Sequence, residues 1–168
     1  MKVSLSILFA AALAAPAGAE VVSAGPPGFV SENRVTVAAA PAAAYAALTR
    51  IGSWWDPAHT YSGDAANLSL DARAGGCFCE ATPADGGGVA HMRVVQARPG
   101  ALLRMEGGLG PLQGEAVSGI LSWTLRAAPG GGTEIVQTYK VSGAESWAAP
   151  VDAVLNQQLT RLAALLAQ

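Results

Sequence analysis

Two hydrophobic periods divide this chain. From Ser146 to Gln168 apolar residues recur at helical spacing, and Val151, Val154, Leu155, Leu159, Leu162, Leu165 and Leu166 fall on one broad stripe. Ser146 is placed to cap that helix, Pro150 is tolerated in its first turn, and Asp152 suits the positive end of its dipole. Gln158 is a polar interruption of the stripe, whereas Asn156, Gln157 and Thr160 point the other way. A helix so apolar on one side needs a broad partner surface, and the preceding chain offers strands.

Phe29 to Val37 alternates and carries β-branched residues, which predicts a first strand. Pro41 opens a helix with Tyr45, Leu48 and Ile51 on one face, broken by Gly52 and Ser53. Pro57 to Asn67 is rich in turn formers and reads as irregular or shortly helical. Strand-like stretches follow at Leu68–Arg73, Cys77–Thr82, Val89–Ala97, Leu102–Glu106, Ala116–Arg126 and Thr133–Val141, separated by Gly, Pro and Asp turn chemistry. Connections of hairpin length imply an antiparallel meander. The expected fold is α+β: a curved antiparallel sheet of about seven strands around a long C-terminal helix, with two short helices after the first strand. A sheet bent around a helix readily leaves a void beneath it, and ligand sites in such voids are mostly apolar with a few polar groups.

The N-terminus changes the picture of where the protein works. Residues 1–19 read as a removable export signal: Lys2 is the positive start, Val3 to Ala15 the short apolar run, and Ala17-Gly18-Ala19 a small-residue cleavage site. The run is short for a bilayer span, so no stable membrane insertion is expected after cleavage, and the destination is periplasmic or secreted. Residues 20–28 read as a leader and 29–168 as one domain. The full chain has ten Lys and Arg against twelve Asp and Glu; losing Lys2 leaves nine against twelve, a net charge of −3. With no basic run, nucleic acid is excluded as a partner. Export permits disulfides. The two cysteines, Cys77 and Cys79, share one face of a strand, but an extended strand holds their Cα atoms far apart, so a bridge and free thiols both stay open.

Several stretches, "VAAAPAAAYAALT", "WWDPAHTYSGDAANLSL", "GGCFCE", "HMRVV", "GGLGPLQ", "GTEIVQTYKVSG" and "VDAVLNQQLTRL", together resemble the helix-grip or SRPBCC superfamily. That group includes START-type lipid-transfer domains, polyketide cyclases and birch-pollen-allergen-like proteins. The closer resemblance is to a bacterial branch of polyketide-cyclase-like and chaperone-ATPase-activator-like members. It covers the whole mature chain and implies the helix-grip fold. It implies no single activity, because carriers, sensors and enzymes share this scaffold.

Candidate chemistry is sparse. His59 and His91 are the only histidines, and with Cys77 or Cys79 and Glu80 they match no compact zinc spacing, so neither a metal nor a cofactor is expected. His91, on a strand face with Arg93, can pair with Glu80 from the neighbouring strand, either structurally or as acid and base. Trp54, Trp55 and Tyr61 surround His59, as an aromatic lid over a pocket mouth or, for the tryptophans, as caps on the core. Leu121, Trp123 and Leu125 share one strand face, and Ile135, Gln137, Tyr139 and Val141 share another. If those faces meet the long helix, Gln137, Tyr139 and Gln158 converge as a polar spot in an apolar cavity. The Gly107–Gly114 segment lacks the lysine and hydroxyl of a P-loop and reads as a mobile hydrophobic flap of Leu109, Pro111 and Leu112. No nucleophile elbow is present.

These residues predict an exported binding protein for a small apolar or amphipathic molecule, with Trp55, His59, Tyr61, Glu80, His91, Trp123, Gln137, Tyr139 and Gln158 facing the ligand. The alternatives are a cyclase- or hydrolase-type enzyme using Glu80 and His91 in the same cavity, and an interaction module docking through an exposed patch at Leu109–Leu112.

Overall fold

The computed structural model describes residues 18–25 and 28–168; of the expected export signal, residues 1–17 lie outside the described part. Strands β1 (Gly18–Gly25) and β2 (Gly28–Val37) lead into helix α1 (Pro41–Thr49). Single 3-10 turns at Ile51–Ser53, Pro57–His59 and Ala65–Asn67 precede β3 (Leu68–Leu70). Then come β4 (Cys77–Thr82), β5 (Gly87–Arg98), β6 (Leu102–Glu106), a 3-10 turn at Gly110–Gly114, β7 (Ser118–Ala127) and β8 (Thr133–Ser142). A last 3-10 turn, Glu145–Trp147, feeds α2 (Ala148–Leu166).

All eight strands form one curved antiparallel sheet in the order β1-β2-β8-β7-β6-β5-β4-β3. From β3 to β8 it is a meander, and β2 joins it by pairing with β8 along its whole length. The segment between β2 and β3 therefore has to travel from one side of the sheet to its far edge. That journey carries α1 and the three 3-10 turns beneath the concave face, where α2 also lies against β1 and β2.

The residues expected to be a leader instead hold most of β1, which pairs with β2 as an edge strand. Its register shifts between Val21 and Ser23, so Val22 is the extra residue of a bulge and stands 53% exposed. Bulges of this kind blunt an exposed sheet edge. Gly, Ala and Ser dilute the valines in this stretch, which is why its strand pattern is faint. The second short helix expected after the first strand resolves into 3-10 turns. Asp56 and Asp64 each accept from the N–H two residues on, a side-chain bond that closes a tight turn and competes with a longer helix.

Helix α2 starts at Ala148, so Ser146 is not its cap: it sits in the 3-10 turn that follows Ala144, a left-handed residue with φ of 54°. The face of α2 buried against the sheet comprises Ala148, Asp152, Leu155, Gln158, Leu159 and Leu162. Leu159 and Leu162 are wholly buried, each contributing roughly 1.5–3 kcal/mol from the area removed from water. Asp152 is no exposed dipole partner. It accepts from Ser31 Oγ at 2.6 Å and Asn33 Nδ2 at 3.3 Å, tying the helix to β2.

Candidate functional site

The site begins with an irregularity in β5. Phe78 pairs with Met92 and Cys79 pairs with Ala90, leaving His91 as the extra residue of a bulge. Without it, strand alternation would put His91 and Arg93 on one face. With it, His91 and Met92 both turn inward and are buried, while Arg93 is exposed and bonds Glu106. This corrects the expectation that His91 and Arg93 share a side.

Glu80, next but one to Phe78 on β4, faces the same interior and is 2% exposed. Its Oε2 accepts from His91 Nε2 at 2.9 Å, and its Oε1 accepts from the Ser62 N–H at 2.5 Å. Burial pushes its pKa up, but hydrogen bonds from the Ser62 backbone and hydroxyl, the Tyr61 backbone and His91 outweigh that and hold the carboxyl below its ordinary value. An ionised carboxylate only accepts, so the shared proton of a neutral His91 sits on Nε2. Phe78 lies against the imidazole at a centroid distance of 4.8 Å and Tyr61 at 5.8 Å.

His91 and Phe78 form one wall of a cavity of about 430 Å³ at the N-terminal end of α2. Trp55 and residues 58–61 close a second side, Leu109, Gly110 and Pro111 a third, and Trp147, Pro150, Val151, Val154 and Leu155 the helical side. Trp54 and Trp55 are both buried, at 2% and 4% exposure, and their indole N–H groups donate to the Leu48 and His59 carbonyls. Trp54 thus caps the core, and Trp55 does so while also presenting a cavity surface. Asp56 locks this segment to α2: its N–H donates to Gln158 Oε1 at 2.8 Å and its Oδ2 accepts from Gln157 Nε2 at 2.6 Å.

Of the residues expected to face a ligand, Trp55, His59, Tyr61 and His91 line this cavity, and Glu80 stands behind His91. Trp123, Gln137, Tyr139 and Gln158 do not line it, and no hydrogen bond joins Gln137, Tyr139 and Gln158 to one another. Trp123 is wholly buried; its indole N–H donates to the Gln137 amide oxygen at 3.1 Å, and the Gln137 amide nitrogen donates to the Leu155 carbonyl at 3.1 Å, an amide orientation assigned from the hydrogen-bond network. Tyr139 Oη donates to the Gly107 carbonyl and accepts from the Leu109 N–H. Gln137 and Tyr139 find separate local partners and Gln158 Oε1 bonds the Asp56 N–H, while Gln158 Nε2 has no partner among the described residues, so no common polar spot forms between the last strands and the helix.

The Gly107–Gly114 segment is fastened rather than loose. Tyr139 holds Gly107 and Leu109, Tyr61 Oη donates to the Gly110 carbonyl at 3.1 Å, and Gln113 Nε2 donates to the Ala90 carbonyl at 2.9 Å. Leu112 is wholly buried, which removes the exposed patch expected at Leu109–Leu112. Gly119 makes the Tyr139 contact possible, since a Cβ there would lie 2.6 Å from the hydroxyl.

Cys77 and Cys79 form a disulfide with Cα atoms 5.4 Å apart, shorter than the roughly 6.5 Å of two fully extended strand residues. Local contraction of β4 removes the geometric objection. The bridge occupies the face opposite Phe78 and Glu80. Among the described residues no three His, Cys, Asp or Glu side chains gather, and no helix is long and apolar enough to cross a membrane. Phe78 and Trp147 are cavity residues that sequence reasoning overlooked. Phe78 was within reach, since it alternates with the cysteines and shares the face of Glu80; Trp147 follows from the turn before α2, which carries no comparable signal.

Neither a protein-family profile nor a curated protein matches this chain. Solved structures do. Protein CV1439 from Chromobacterium violaceum is 18% identical with a TM-score of 0.59, over 83% of this chain and 98% of its own. CalU16 from Micromonospora echinospora is 12% identical with a TM-score of 0.55, over 92% and 87%. The Aha1 dimer from Colwellia psychrerythraea is 20% identical with a TM-score of 0.59, over 80% and 93%. At such identities the likeness shows the fold alone, a helix-grip arrangement.

Proposed function

We propose that this chain is an exported binding protein holding a small apolar or amphipathic molecule between its sheet and the N-terminal end of α2. The observation that carries this reading is the cavity of about 430 Å³ walled by Trp55, Tyr61, Phe78, Trp147, Val151 and Val154. Cavities of that size suit small organic ligands, and an apolar wall with few polar groups is their usual lining. The small-residue stretch at residues 17–19 after a short apolar run supports export, and a cut after Ala19 would leave Glu20–Gly25 to pair with β2. Native mass spectrometry of protein purified without detergent tests the reading. We expect a species heavier than the bare polypeptide that loses its extra mass on gentle activation; bare polypeptide alone, with no uptake of added aromatic probes, counts against a carrier.

A second reading has one specific observation behind it. Glu80 and His91 face inward and lie 2.9 Å apart, which is the geometry an acid–base pair requires. A cyclase- or hydrolase-type reaction in the same cavity would use His91 as the base and Glu80 to hold its tautomer.

A further inference from the structure

The Cys77–Cys79 bridge joins nothing that the sheet does not already join. Only Phe78 separates the two cysteines, and closing so short a loop takes little freedom from the unfolded chain. The backbone they span is held on both sides. Cys79 pairs with Ala90 on β5 and with Ser69 on β3, Cys77 pairs with Arg93, and the Asp71 N–H donates to the Cys77 carbonyl at 3.0 Å. Both cysteines are half-buried, on the face of β4 turned away from Phe78, Glu80 and the cavity. Exposed bridges are the labile and reactive ones, whereas structural bridges resist reduction.

A groove of about 520 Å³ lies across β4, β5 and the end of β6, and Cys77 lines it while Cys79 does not. Gly75, Gly76, Gly107 and Gly108 bring no side chains to its wall, and a Cβ on Gly75 would meet nothing within 4 Å. Its two charged residues, Arg93 and Glu106, bond each other, so no unbalanced negative charge turns an anion away.

We propose that the bridge is an exchange site for cysteine thiols, with Cys77 as the sulfur attacked and Cys79 as the resolving cysteine. The thiolate of a small thiol or a flexible peptide enters the groove and attacks Cys77 Sγ. An S–S bond forms between the two sulfurs, the Cys77–Cys79 bond breaks, and its electron pair leaves on Cys79 Sγ, which takes a proton from water. A second thiolate then attacks the partner's sulfur, and Cys77 departs as a thiolate. The partner thiols are oxidised by two electrons to a disulfide, and the bridge is reduced to two thiols. Those thiols stay on one face of one strand, placed to close again by the reverse steps on the next disulfide they meet. This activity lies on the opposite side of the sheet from the cavity and does not depend on what the cavity holds.

The test offers the folded wild-type protein two thiol sources, reduced glutathione and reduced, unfolded ribonuclease A. Free thiols are quenched with N-ethylmaleimide and the products mapped by mass spectrometry. Glutathione is expected on Cys77 and the maleimide on Cys79. Opening by both sources extends the site to protein thiols, and opening by glutathione alone restricts it to small ones. Single variants separate the two sulfurs: Cys79→Ser leaves only the Cys77 thiol, and Cys77→Ser only that of Cys79. Because exchange depends on access to the sulfur, Cys79→Ser should form a mixed disulfide with oxidised glutathione at least about tenfold faster than Cys77→Ser. If either variant fails to fold, the map of the wild-type adducts still decides. Glutathione found mainly on Cys79, or equal rates for the two variants, overturns the assignment of Cys77. A bridge that neither source opens in the folded protein, although glutathione opens it in urea, overturns the proposal as a whole.

Discussion

Tyr139 shows what one hydroxyl does for this fold. It is wholly buried between the sheet and the Gly107–Gly114 segment, and it alone satisfies both the Gly107 carbonyl and the Leu109 N–H. Burial pushes its pKa up to about 12, against a smaller opposing effect of the Leu109 N–H. The folded value lies above the unfolded one near 10, so this contribution to stability is intact below pH 10 and is lost as pH rises toward 12. Tyr139→Phe leaves two backbone groups unpaired and is expected to cost about 1–3 kcal/mol at neutral pH in urea unfolding. Between pH 10 and 12 its stability should fall less steeply than that of the wild type; parallel slopes would show that the hydroxyl titrates normally. The inward position of Tyr139 was legible, since Ile135, Gln137 and Val141 share its face. Its role was not, because the partner of a buried hydroxyl is set by a loop thirty residues away in sequence. His91 was obscured for a different reason: alternation assumes an unbroken strand, and one bulged residue reverses the side of the side chains that follow it, here as far as a second shift between Val94 and Gln96.

Among the elements, β4 is the most constrained. One face carries Phe78 and Glu80 toward the cavity, and the other carries the Cys77–Cys79 bridge. A bridge closing so short a loop removes little freedom from the unfolded chain, roughly 1–2 kcal/mol in the loop-entropy description. Reduction should therefore lower stability by no more than about 2 kcal/mol in a denaturant titration with and without reductant. It should act on binding, if at all, by letting β4 extend past its present 5.4 Å spacing and shifting Phe78. A loss well beyond that range would mean that the bridge holds the β5 bulge as well as its own strand. The strands from β4 to β8 were readable because turn chemistry brackets each one. The first strand was hidden by small residues, and the start of α2 was displaced because the positive φ at Ala144 sets a 3-10 turn where a simple cap was expected.

At the scale of the whole molecule, the question is whether the void beneath the helix is a binding site or an imperfection of packing. Val154 is half-buried on the cavity wall and lies outside the fully buried face of α2, so a larger side chain there can grow into the void without disturbing Leu155 or Leu159. Val154→Phe is expected to leave thermal stability unchanged or raised, because added carbon fills space that is now empty instead of overpacking a tight core. The two views then separate on ligand linkage. A molecule that binds only the folded state stabilises it by RT ln(1 + [L]/Kd), about 2.7 kcal/mol at a hundredfold excess over Kd. If the void is a site, an added aromatic probe such as 2-naphthol raises the melting temperature of the wild type and no longer raises that of Val154→Phe. If it is a packing defect, the probe leaves both melting temperatures where they were, and the substitution acts as an ordinary stabilising fill. Helix α2 bears on this outcome twice, since it supplies Val151, Val154 and Leu155 to the cavity and anchors the Trp54–Asp56 segment through Gln157, Gln158 and Arg161. Occupying the cavity should therefore tighten that whole side of the molecule, and amide exchange should slow in the Trp54–Tyr61 segment and the first turns of α2 before it slows anywhere along β7 or β8.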